Sequence, residues 1–182
     1  AFGFEVAGLG DVDEDGLGDV AVADSSGQTI GDDRFGRVYV YSGRTGELVR
    51  TLYPPPRTGM TSGFGERVSC AGDLDGDGVD DLAITADTNT DPGGPSFAGR
   101  VHVHSGATGS LLYSLRPDPD APNLNFGSDL ARVPDLDGDG VSDLVVGSYR
   151  EARAYVFSGA TGEQLYFVTS PGTCSCAFGV HV

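Results

Sequence analysis

Asp73-Leu74-Asp75-Gly76-Asp77-Gly78-Val79-Asp80-Asp81, running straight into Leu82-Ala83-Ile84-Thr85, is the stretch that decides how this chain folds. It is one of three. The others are Asp11-Val12-Asp13-Glu14-Asp15-Gly16-Leu17-Gly18-Asp19, ahead of Val20-Ala21-Val22-Ala23, and Asp135-Leu136-Asp137-Gly138-Asp139-Gly140-Val141-Ser142-Asp143, ahead of Leu144-Val145-Val146-Gly147. The loops start 62 residues apart both times. A regular period of this size marks a repeat architecture, in which one supersecondary unit stacks on the next.

Each loop has the chemistry of a calcium site. Calcium takes six to eight oxygens at roughly 2.3–2.6 Å. Carboxylates at loop positions 1, 3 and 5 (Asp11, Asp13, Asp15; Asp73, Asp75, Asp77; Asp135, Asp137, Asp139) can converge on one ion if the backbone curls tightly. The glycine at position 6 permits that curl. Position 7 (Leu17, Val79, Val141) can offer only its backbone carbonyl, and position 9 (Asp19, Asp81, Asp143) closes the cage with a fourth carboxylate. An EF-hand would need a glutamate at position 12 and flanking helices. Position 12 here is Val22, Ile84 or Val146, within a β-rich segment, so the ion is expected between two strands. Magnesium, which favours octahedral and water-rich sites, fits less well. About three calcium ions, one per repeat, are therefore expected.

The period extends beyond the loops. Phe-Gly stands nine residues ahead of each one, at Phe2-Gly3, Phe64-Gly65 and Phe126-Gly127. After each loop comes an alternating strand ending in Ser-Gly: Arg37-Val38-Tyr39-Val40-Tyr41-Ser42-Gly43, Arg100-Val101-His102-Val103-His104-Ser105-Gly106 and Arg153-Ala154-Tyr155-Val156-Phe157-Ser158-Gly159. A Thr-Gly turn and a short strand (48–52, 111–115, 164–168) close the unit. Four short strands with turns between them have the make-up of one propeller blade. The fold expected is all-β: three four-stranded antiparallel, propeller-like blades plus the first strand of a fourth.

Phe-Gly, the Asp-x-Asp-x-Asp-Gly-x-x-Asp loop and Gly-Arg-Val-Tyr-Val together resemble the FG-GAP repeats of integrin α-subunit β-propellers. The resemblance covers essentially the whole chain. It implies that each loop joins the first and second strands of a blade and holds calcium through the four aspartates and the position 7 carbonyl. It also implies an extracellular setting in adhesion and ligand recognition. The repeats are expected at 1–62, 63–124 and 125–177, with 178–182 the opening strand of a further unit or a donor strand. Three blades do not close a ring, since closed propellers have four to eight. The chain then reads either as part of a longer propeller or as a subunit completed by its neighbours. Phe178-Gly179-Val180-His181-Val182 could add as a strand at a neighbour's sheet edge. The start at Ala1, directly ahead of a repeat, fits a processed or trimmed chain.

Composition narrows the function. The net charge of −16 makes nucleic acid and anionic membrane poor partners. No apolar run reaches the 18 or so residues of a membrane span, so no membrane insertion is expected. Carboxylate-rich calcium sites suit a calcium-rich compartment, which favours a secreted or cell-surface location. Cys70, Cys174 and Cys176 could supply one bridge and one spare thiol, or three unpaired ones. His102 and His104 share one face of a strand and align with Tyr39 and Tyr41, then Tyr155 and Phe157, so they read as packing positions. There is no nucleophile elbow, phosphate loop or zinc spacing, and the chain is read as non-enzymatic. Arg37, Arg100 and Arg153 recur at one position and read as repeat-building residues. The long connections, 25–35 and 87–98 within units and 53–62 and 116–125 between them, are where a binding surface could sit, although plain spacers are the preferred reading. The expected role is structural or adhesive, with a protein or glycan ligand. Alternatives are a self-assembling filament subunit that binds further copies of itself, and a non-catalytic portion of a larger secreted enzyme.

Overall fold

The computed structural model describes residues 1–25, 36–55, 63–86, 99–117 and 125–171. The strand expected at 178–182, Cys174, Cys176 and most of the long connections lie outside the described residues. Blade 1 contains β1 (Phe2–Gly8), β2 (Val20–Asp24), β3 (Arg37–Tyr41) and β4 (Leu48–Leu52). Blade 2 contains β5 (Phe64–Gly72), β6 (Asp81–Ala86), β7 (Arg100–His104) and β8 (Leu111–Leu115). Blade 3 contains β9 (Phe126–Val133), β10 (Asp143–Ser148), β11 (Arg153–Phe157) and β12 (Gln164–Thr169). Each blade is an antiparallel sheet with its strands in chain order. The expected all-β, three-blade architecture is what the chain adopts, and the three sheets do not close a ring. In blade 3 a 3-10 turn, Tyr149–Glu151, stands where blades 1 and 2 have long connections.

Period-2 patterning explains the stacking. Successive side chains along a strand point to opposite faces. Val38 and Val40 of β3 therefore face blade 2, with Ala21 and Ala23, and meet Phe64, Val68, Leu82 and Ile84. On the far side of blade 2, Ala83, Val101, Val103 and Leu115 meet Phe126, Leu130, Leu144 and Val146. Blade 2 is thus covered on both faces, and all six residues of β6 are buried. Each first strand lies against the preceding blade: β5 touches β1, β2 and β3, and β9 touches β5, β6 and β7.

Phe-Gly is the docking point between blades. The Phe64 ring packs on His102 and His104 of its own sheet, with ring centroids 6.1 and 6.0 Å apart. Phe126 does the same with Tyr155 and Phe157, at 5.7 and 5.8 Å. The histidines are therefore buried packing residues, as their alignment with aromatic positions suggested. The His104 Nδ1–H donates to the Gly109 carbonyl at 3.1 Å, and burial pushes the imidazole pKa down, keeping the ring neutral.

The phenylalanine backbone presses on the preceding blade. A Cβ on Gly36 would lie 1.8 Å from the Phe64 carbonyl oxygen, and one on Gly99 2.0 Å from that of Phe126. Only glycine admits this approach. Blade 3 has Ala152 at the corresponding position, held at φ 52°.

Among the described residues, no blade covers the outer faces of the end blades. Phe2, the counterpart of Phe64 and Phe126, is 58% exposed beside Tyr39 and Tyr41. Val168 is exposed, whereas its counterparts Leu52 and Leu115 are buried under the next blade.

Candidate metal centre

Each acidic loop is the turn between the first and second strands of its blade. Its backbone curls around its own carboxylates. The position 1 aspartate accepts hydrogen bonds from amides farther along the loop. Gly16 N–H donates to Asp11 at 2.7 Å, Gly78 N–H to Asp73 at 2.9 Å and Gly140 N–H to Asp135 at 2.9 Å. Position 3 accepts from the position 5 amide at 3.2, 3.1 and 3.0 Å in the three loops. Position 5 in turn accepts from the position 7 amides of Leu17, Val79 and Val141 at 2.9, 2.9 and 2.8 Å. These are local side-chain to backbone turns, which aspartate forms readily.

The curl gathers oxygens. In loop 1 one carboxylate oxygen each from Asp11, Asp13 and Asp15 lies within 4.8 Å of the others. In loop 2 the trio is Asp73, Asp75 and Asp81, and in loop 3 it is Asp135, Asp137 and Asp143. Oxygens on a coordination shell of radius about 2.4 Å are at most about 4.8 Å apart, so each trio fits around one calcium ion. The donor set is hard oxygen throughout, as calcium requires. Asp77 and Asp139 fall outside their trios, and so does Asp19. Leu17 is exposed at position 7, while Val79 is buried and Val141 partly so.

Position 9 has a structural task that the sequence did not reveal. Asp19, Asp81 and Asp143 are buried. One oxygen of each accepts from an amide near the loop start: Val12 at 2.8 Å, Leu74 at 2.8 Å, Leu136 at 2.7 Å. The other accepts from the Ser-Gly glycine after the third strand: Gly43 at 2.9 Å, Gly106 at 3.0 Å, Gly159 at 3.0 Å. A Cβ on those glycines would come within 1.9, 1.9 and 1.8 Å of the position 8 carbonyl oxygens of Gly18, Asp80 and Ser142. This explains why Ser-Gly recurs once per repeat. The serine also contributes: the Ser42 hydroxyl donates to Asp15 and that of Ser158 to Asp139, both at 3.2 Å. The recurrence of Ser-Gly directly after the third strand of each repeat was the available signal.

The electrostatic surroundings differ from one loop aspartate to another. Burial raises Asp81 from the ordinary 3.8 to about 6, against the opposing amides of Gly106 and Leu74, and nearby Asp75 and Asp77 push it further up. The amides of Gly138 and Gly140 hold the exposed Asp135 below its ordinary value. A divalent ion would favour the ionised form of all of these groups.

Other sequence expectations resolve here. Arg37 lies over the Tyr53 ring at 5.5 Å and Arg153 over Phe167 at 4.5 Å, so these recurrent arginines build contacts with rings. Among the described residues Cys70 is a free thiol, and the other two cysteines lie outside them. No helix among the described residues is long and apolar enough to cross a membrane.

Comparison with known proteins agrees with this anatomy. The FG-GAP repeat profile matches residues 67–104 and 126–163, and that of the FG-GAP-like repeat matches 11–84. Integrin alpha-4 of Xenopus laevis is 32% identical over 148 residues, covering 76% of this chain and 14% of the relative. Integrin alpha-IIb of Mus musculus is 32% identical over 167 residues, 86% of this chain and 16% of the relative. Integrin alpha-5 of Xenopus laevis is 31% identical over 175 residues, with 87% and 16% covered. The chain thus spans about a sixth of the length of these relatives. Matching profiles along most of its length, on three blades with the same loop, make this chain a member of the FG-GAP repeat family.

Proposed function

We propose that this chain is a calcium-stabilised β scaffold that works outside the cell or on its surface, in a structural or adhesive role. Its repeat units are 1–62, 63–124 and 125–177. The observation that carries the reading is the gathering of three carboxylates at the same joint in all three blades. Each ion would be held by the aspartates at positions 1, 3, 5 and 9 and the carbonyl at position 7. It would neutralise clustered charge and cross-link the first two strands of its blade, so that binding energy becomes folding energy. The kinship with integrin alpha subunits supports the adhesive setting and a non-catalytic role. A protein ligand is the preferred partner, and a glycan is the alternative.

Self-association is a second reading, favoured by one observation. The face bearing Phe2, Tyr39 and Tyr41 is open, although the same face of blades 2 and 3 is buried by a neighbouring blade. Another blade fits there, from a longer chain or from a second copy.

Calorimetric titration with calcium tests the first reading, using the parent beside Asp75→Ala and Asp137→Ala. Three sites are expected in the parent and two in each variant. No binding in the parent would refute it.

A further inference from the structure

Loop 1 is built differently from loops 2 and 3. In each repeat the residue after Ser-Gly lies on the turn that faces the acidic loop. Blades 2 and 3 have alanine there, Ala107 and Ala160, and blade 1 has Arg44. The Arg44 Nε lies 3.2 Å from Oδ2 of Asp15, and its Nη2 donates to the Asp15 backbone carbonyl at 2.6 Å. A guanidinium therefore holds both the side chain and the main chain of the position 5 residue. The carboxylate grouping differs accordingly. Loop 1 gathers positions 1, 3 and 5, whereas loops 2 and 3 gather positions 1, 3 and 9. Loop 1 also carries an additional acid, Glu14, at φ 60° where the other two loops have glycine.

We propose that Arg44 is the resident counter-cation of loop 1: it holds this loop together without metal and makes it the weakest of the three calcium sites. The inference rests on the calcium reading of the loops. Its physical content is competition. An incoming divalent ion must displace the guanidinium from Asp15 or share that carboxylate with it. Arg132 also stands beside loops 2 and 3, at Gly72 and Ser142, but among the described residues only loop 1 has a guanidinium paired with a loop carboxylate. Arg44 is half exposed, so the penalty is that of a surface ion pair, roughly up to fivefold in affinity. The chain would then fill in order, loops 2 and 3 first and loop 1 last.

Two measurements decide it. In calcium titration by calorimetry, the parent should show two tighter sites and one weaker. Arg44→Ala, which installs the residue that blades 2 and 3 already have, should bring the weak site up by about fivefold. Ala160→Arg, at an exposed position, should create a second weak site. Three equal sites in the parent, unmoved by Arg44→Ala, would overturn the proposal. Absence of binding in every protein would overturn the calcium reading and the filling order together. Hydrogen exchange in chelator then decides whether Arg44 holds the metal-free loop. The Gly16 and Leu17 amides should be better protected than Gly78, Val79, Gly140 and Val141 in the parent, and should lose that advantage in Arg44→Ala. Equal exchange in parent and variant would refute the resident-cation role.

Discussion

Asp81 shows how one residue serves both fold and site. Its two oxygens join the loop start to the turn after the third strand, through Leu74 and Gly106, from a fully buried position. Asparagine keeps one acceptor and replaces the other with a donor that faces an amide. Asp81→Asn should therefore cost about 2 kcal/mol in metal-free urea unfolding, the penalty of an unsatisfied buried amide. The same residue sets a pH dependence. Its folded pKa, about 6, lies above the ordinary 3.8, so the folded chain binds this proton more tightly than the unfolded chain does. Metal-free stability should then fall as pH rises from about 4 to 6, and that loss should persist above pH 6. Asp135, shifted the other way, acts only below the ordinary carboxylate range. The urea midpoint of stripped protein at pH 5 against pH 7.5 checks the sign, and Asp81→Asn should flatten the difference. These aspartates were legible in the sequence as ligand candidates because carboxylates at positions 1, 3, 5 and 9 around a glycine turn suit calcium, and the pattern occurs three times. The bond between Asp81 and Leu74 was not, because a backbone partner of that kind leaves no mark on residue identity, and the one with Gly106 left only the recurring Ser-Gly.

At the scale of the element, the Phe-Gly pair converts sequence period into blade packing. The ring fills a pocket between two β7 or β11 side chains, and the backbone seats on the glycine ahead of the preceding blade's third strand. Phe64→Ala should cost about 3–5 kcal/mol, as for a large buried ring. Phe2→Ala should stay within about 1 kcal/mol, because that ring is mostly exposed. Equal costs in a denaturant series would mean that the blades do not stack as described. The strands themselves were readable from alternation: Val38 and Val40 point one way, Tyr39 and Tyr41 the other. The glycine seat was not readable, since Gly36 and Gly99 are ordinary turn residues until the Phe64 and Phe126 carbonyls arrive from 28 and 27 residues farther along.

For the whole molecule, the blades are tied by more than apolar surface. Glu5, Arg67 and Asp129 occupy one position in the three first strands. Arg67 reaches Glu5 at 3.7 Å and Asp129 at 3.9 Å, bridging all three blades. Arg50 and Tyr113 each reach a turn carbonyl of the next blade, at Ala107 and Gly159. Such contacts make a quasi-linear stack whose stability is set by units and by nearest-neighbour interfaces. If each carboxylate joint holds calcium as proposed, the stack should be weaker when the metal is removed.

The most direct test is the thermal unfolding midpoint of the stripped chain with and without calcium, with magnesium as the control. One site held at a hundred times its dissociation constant adds about 2.7 kcal/mol. That moves the midpoint by roughly 5–10 °C for a chain of this size. A calcium-dependent rise of at least that amount, with magnesium clearly weaker, is the expected result. Superimposable curves in calcium, magnesium and chelator would contradict the metal-stabilised scaffold.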